Sequence, residues 1–84
     1  MRNIHIKTYR KKPVLIEAIK WNTKNTNDVA IFTEGSFFTI GSQAYVNTLE
    51  GRMNVQPGDY IIRGVKGEFY NCKPDIFTQT YEEL

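Results

Sequence analysis

The sequence predicts an α+β protein: a small antiparallel, strongly curved sheet or partly open barrel of about five or six strands with one short helix. Three observations carry this reading. Short runs rich in Val, Ile, Phe and Tyr recur along the chain with period-two alternation. From residue 41 onward, glycine-containing pairs separate those runs at hairpin spacing. Only residues 22–35 switch to a helical pattern. The 84 residues form one domain, 1–84, in which residues 1–8 read as a flexible segment or an edge strand. A chain this short buries only about 60–65% of its unfolded surface, so its large side chains must supply much of the core.

The first strand is expected in "VLIEAIKW", residues 14–21. Val14, Ile16 and Ala18 alternate with Leu15, Glu17 and Ile19, and Pro13 disfavours a helical Lys12. In "NTKNTNDVAIFTEG", Asn25 or Thr26 can cap a helix, and Asp28 suits the positive end of its dipole. Val29 and Phe32 lie one turn apart, and Gly35 is placed as a stop. "SFFTI", residues 36–40, is strand-like. "AYVNTLEGRMNVQPGDYIIRG" then reads as strand, turn, strand, turn, strand. Glu50-Gly51 marks the first turn, and Pro57-Gly58 fits the centre of a type II turn. Tyr60 and Ile62 share one face of the third strand; Ile61 and Arg63 share the other. Gly64 and Gly67 bracket a hairpin loop around Val65 and Lys66. Pro74 ends the next strand. Asp75 to Phe77 are expected to form a single helical turn, and "TYEEL" a last edge strand.

Several chemistries are excluded or weakened by composition. One cysteine and one histidine leave no zinc cluster and no multi-histidine metal site, so neither a metal nor a cofactor is expected. Cys72 as a nucleophile needs a neighbouring base, and His5 is the only imidazole. Glu68 and Asp75 could approach across a hairpin end, yet nothing in the pattern separates their pKa values for acid–base work. GVKG lacks phosphate-loop spacing and joins two strands. The opening residues carry no apolar core of signal-peptide length, and no run approaches the ~18 apolar residues of a membrane span. The chain therefore reads as non-enzymatic, without membrane attachment, and cytoplasmic.

Charge points to a partner. Residues 1–24 hold seven cations against Glu17, whereas residues 25–84 hold four cations against eight carboxylates. "KTYRKKP", residues 7–13, sets Tyr9 among four positive charges, a pattern that suits nucleic acid as well as a solvated strand edge. The expected ligand site is a groove between the basic opening strand and the 60–75 hairpin. There Arg10, Lys11 and Lys12 attract an anion, Lys66 and Lys73 close on it, and Trp21 and Tyr70 stack. The number of tyrosines in so small a chain also favours a partner surface or a homodimer.

"YRKKPVLIEAIKW" and "TLEGRMNVQPGDYIIRGVKGEFYNCKPDIFTQTYEEL" resemble a group of small bacteriophage and prophage proteins of Gram-positive hosts. That group pairs an RKKP-strand opening with a closing GDYII-G-V-GE-Y-CKPDIF-TYE pattern. The resemblance implies no catalytic residue. It implies a viral accessory protein in the host bacterial cytoplasm, binding a host protein or a small anionic or nucleotide ligand, including in counter-defence. The alternative is a nucleic-acid-binding accessory protein of phage DNA metabolism.

Overall fold

A computed structural model of the protein describes residues 5–84. The expectation for residues 1–8 therefore lies partly outside the described residues, and residues 5–8 carry no regular structure. The fold is α+β, with six antiparallel strands and two helices among the described residues. The strands are β1 (Glu17–Lys20), β2 (Phe37–Ile40), β3 (Gln43–Thr48), β4 (Gly51–Val55), β5 (Tyr60–Arg63) and β6 (Phe69–Cys72). The helices are α1 (Thr26–Phe32) and α2 (Pro74–Thr80). The strands divide into two three-stranded sheets, ordered β1-β5-β6 and β2-β3-β4, rather than one continuous sheet. Among the described residues no barrel closes.

The division occurs at the Pro57-Gly58 turn. Asp59 N–H donates to the Gln56 carbonyl at 3.0 Å and Gly58 has φ +94°, as a type II turn requires. Unlike the primed hairpin turns, a type II turn splays its flanking strands. β4 and β5 therefore part instead of pairing. Trp21 secures the corner: its N–H donates to the Asp59 carbonyl at 2.9 Å, and its carbonyl accepts from Gly58 N–H at 2.7 Å. β5 instead pairs with β1 and β6, matching Ile62 with Ala18 and Tyr70. Because β5 has only four residues, residues 14–16 have no partner there and do not extend β1.

The core lies between the sheets. Phe37, Ala44, Val46 and Val55 come from the inner face of one sheet and Ile61 from the other, with Val29 of α1 and Trp21 completing the cluster. Trp21 meets Phe37 edge to face at 5.4 Å. Ile61 and Ile62 are neighbours in sequence on opposite faces, yet both are fully buried. Ile61 faces the core, while Ile62 shares its face with Tyr60 and Tyr70 beneath α2. A strand covered on both sides loses the simple alternation of a half-exposed one.

The end of the chain differs from expectation. Residues 74–80 form two turns of helix, not one, and residues 81–84 form no strand. Pro74 occupies the first helical turn, where its missing N–H costs nothing and its φ is already helical. Asp75 lies in the first turn but does not cap, since the N-cap position is Lys73.

A candidate binding groove beside the basic arm

Residues 5–16 lead into β1 as an exposed arm. Ile6, Tyr9 and Leu15 are each at least four-fifths exposed along it. Where the arm meets the sheet, it forms one wall of an open groove of about 860 Å³. Lys11, Lys12 and Leu15 line that wall, Tyr60 and Phe77 form part of the bed, and Glu82 and Glu83 also line the groove.

The bed is built by aromatic stacking. Phe77 lies flat on Tyr60, with centroids 3.8 Å apart and planes 5° from parallel. Tyr81, one helical turn on, lies 5.0 Å from Phe77. Its hydroxyl is 3.5 Å from that of Tyr70, at the limit of hydrogen bonding. Burial, then the Tyr81 contact, then the Glu68 carboxylate push the Tyr70 phenol up to about 12 from its ordinary 10.0. The folded state holds the proton more tightly, so this contribution to stability is whole below pH 10 and is lost as pH rises from 10 toward 12. Phenolate absorbance should show one tyrosine of the Tyr70–Tyr81 pair titrating late. Tyr70→Phe should flatten the fall in urea stability across that window, and equal slopes for the two proteins would contradict the assignment.

The seven residues expected to form one site are not gathered together. Lys11 and Lys12 line the groove, and Arg10 lies on the exposed arm just before them. Trp21 is 6% exposed, and its Nε1–H donates to Thr26 Oγ1 at 3.0 Å, so it packs in the core and offers no stacking face there. Lys66 and Lys73 lie beyond opposite ends of β6, separated by four strand residues, or roughly 13 Å of strand. They lie toward the two ends of the strand and are not brought together by the hairpin. Lys73 instead lies 3.5 Å from Asp59, a carboxylate 1% exposed whose other oxygen accepts from Gln56 N–H at 2.9 Å. A buried carboxylate needs such partners. Tyr70 is turned toward Tyr81 beneath the chain end rather than toward Lys66.

The GVKG loop already has its anion. The Glu68 carboxylate folds over Gly64 and accepts from Lys66 N–H at 3.0 Å, so an added phosphate would meet a negative charge. At Cys72, burial and then the carboxylates of Asp59 and Asp75 push the thiol pKa up. That is opposite to the shift a nucleophile needs.

Sequence reasoning missed Tyr60, Phe77 and Tyr81 as the groove bed. The signal was the four-residue spacing of Phe77 and Tyr81, which places both on one face once residues 74–80 are helical. A second, smaller recess of about 370 Å³ opens where Trp21, Thr26, Ser42 and Gln56 meet.

Among the described residues, no group of three or more His, Cys, Asp or Glu side chains is placed to hold a metal ion, and no helix is long and apolar enough to cross a membrane. The fold and groove define a small α+β protein with a basic arm laid beside an aromatic bed. No protein-family model, curated protein or solved structure matches the chain.

Proposed function

We propose that the protein is a non-enzymatic binding protein of bacteriophage or prophage origin, working in the host cytoplasm by docking its basic arm on an acidic surface of a host protein. One observation carries the reading. The two ion pairs among the described residues, Arg63 with Glu17 and Lys73 with Asp59, leave out every cation of the arm. Lys7, Arg10, Lys11 and Lys12 are all exposed. The charge asymmetry of the sequence is thus presented outward, where it can steer an acidic partner. An extended arm fits a macromolecular surface better than a small anionic or nucleotide ligand, which needs converging groups. The terminal blocks that resemble phage accessory proteins support the setting.

Replacing Lys7, Arg10, Lys11 and Lys12 together by Ala should leave the circular dichroism unchanged and weaken retention of the host partner by about thirtyfold or more. Undiminished capture from host lysate by the fourfold variant would remove the proposal.

Nucleic acid is the second reading, favoured by Tyr9, which is 84% exposed among the arm's cations and free to stack on a base. A gel shift on single- and double-stranded DNA at two salt concentrations separates the readings, because phosphate binding weakens steeply with salt.

A further inference from the structure

β1 is an edge strand. On one side it pairs with β5, and among the described residues no strand pairs with its other side. The direction of its backbone groups follows from Trp21, whose N–H and carbonyl both point toward the β5 side, to Asp59 and Gly58. Alternation along the strand then turns the groups of Ile19 and Glu17 toward β5 and those of Lys20, Ala18 and Ile16 outward. The Lys20 carbonyl is capped by Asn25 Nδ2–H at 2.7 Å. Ile16 and Ala18 are left presenting N–H and C=O groups on an open edge.

The chain leading to that edge leaves apolar surface in water. Val14 is 45% and Leu15 80% exposed. The molecule is also extended: its Cα radius of gyration is 16.1 Å and its longest dimension 60 Å, against a radius of about 12 Å for a compact chain of this length. The groove beside the edge is lined by Lys11 and Lys12 and by Glu82 and Glu83. A surface carrying both signs can complement its own copy across a two-fold axis, as an isologous interface requires.

We propose that β1 pairs antiparallel with β1 of a second copy, joining the β1-β5-β6 sheets of the two copies into one six-stranded sheet. A two-fold axis normal to the sheet keeps like faces together, so residues of the same parity must stand opposite one another. The register centred on Glu17 meets this condition. It places Ile16 opposite Ala18 of the second copy, where each exchanges N–H···O bonds with the other through the groups the monomer leaves open. It also sets Leu15 beside Ile19, an apolar pair. A register centred on Ile16 instead sets Leu15 against Glu17 and Lys12 against Lys20. The facing Glu17 side chains are each neutralised by Arg63 of their own copy at 2.6 Å. The basic arms then leave opposite ends of the joined sheet.

Sedimentation velocity on the purified chain, from micromolar to millimolar concentration, tests this without any host component, so the result is independent of what the arms bind. A concentration-dependent dimer is expected. Ala18→Pro removes an outward N–H and no bond to β5, and Leu15→Lys places a charge in the interface. Each should raise the dimer dissociation constant by about tenfold or more. Leu15 is too exposed for its variant to unfold the chain, and it decides the matter if Ala18→Pro does not fold. The Ile16 and Ala18 amides should also become protected from hydrogen exchange as concentration rises. A monomer at millimolar concentration overturns the proposal. So does a dimer indifferent to the folded variants, or one whose Ile16 and Ala18 amides exchange freely.

Discussion

Trp21→Ala is expected to lower the thermal midpoint by more than about 12 °C. Trp21 links the two sheets and α1. Its ring packs on Phe37 of one sheet at 5.4 Å, and its Nε1–H reaches Thr26 at the start of α1. Its backbone holds the Gln56–Asp59 corner where the chain passes between sheets. Truncating a buried aromatic residue to Ala costs about 3–5 kcal/mol. A chain of this size has a total stability of roughly 4–13 kcal/mol. Only a stability at the very bottom of that range is consumed outright; elsewhere in it the thermal midpoint falls by more than about 12 °C. Trp21→Phe retains most of the packing and loses the bond to Thr26, at about 1 kcal/mol. Urea denaturation followed by far-ultraviolet circular dichroism measures both. A Trp21→Ala protein that melts within a few degrees of the native one would mean that the two sheets hold together without this residue.

The role of Trp21 shows where the sequence was readable and where it was not. Its alternating neighbours marked a strand, and the type II turn at Pro57-Gly58 and the hairpin loop between Gly64 and Gly67 were legible as residue chemistry. Gly67 has φ +81° and closes its loop onto the Gly64 carbonyl at 3.0 Å. α1 was legible too, down to Val29 facing inward. Pairing was less accessible. Consecutive strands usually pair, but the corner clamped by Trp21 turns β5 away from β4. No local signal tells a tryptophan that stacks on a ligand from one that buries itself between two sheets.

The candidate site was misread for a related reason. Lys66 and Lys73 are close in sequence, but β6 runs straight between them, so their separation depends on the strand and not on the loop. Lys73 is drawn to Asp59, a residue whose burial follows from the corner and not from its neighbours. The basic arm needed no tertiary information. An exposed segment has few contacts to override its composition, and Arg10, Lys11 and Lys12 are exposed as their residue types imply.

Phe77→Ala is expected to release α2 while the two-sheet core persists. α2 has seven residues and none of them is fully buried. Such a helix is unstable alone and depends on docking. Phe77, flat against Tyr60 of β5 and close to Tyr81, supplies a stacked aromatic contact between α2 and the sheet. Its removal should cost about 1–3 kcal/mol, less than for a fully buried Phe. Because Trp21 and Ile61 lie on the opposite face of β1-β5-β6, the loss should appear as local opening, not global unfolding. Two probes on the α2 face report it. Cys72 should alkylate faster at neutral pH, since the burial that raises its thiol pKa is relieved and Asp75 moves away with the helix. Tyr70 should titrate closer to 10, having lost both its cover and the Tyr81 hydroxyl. Trp21 fluorescence should stay native. Unchanged labelling of Cys72 together with a late-titrating Tyr70 would mean that α2 stays docked without Phe77. Loss of native Trp21 fluorescence would mean that the helix and the core unfold as a single unit.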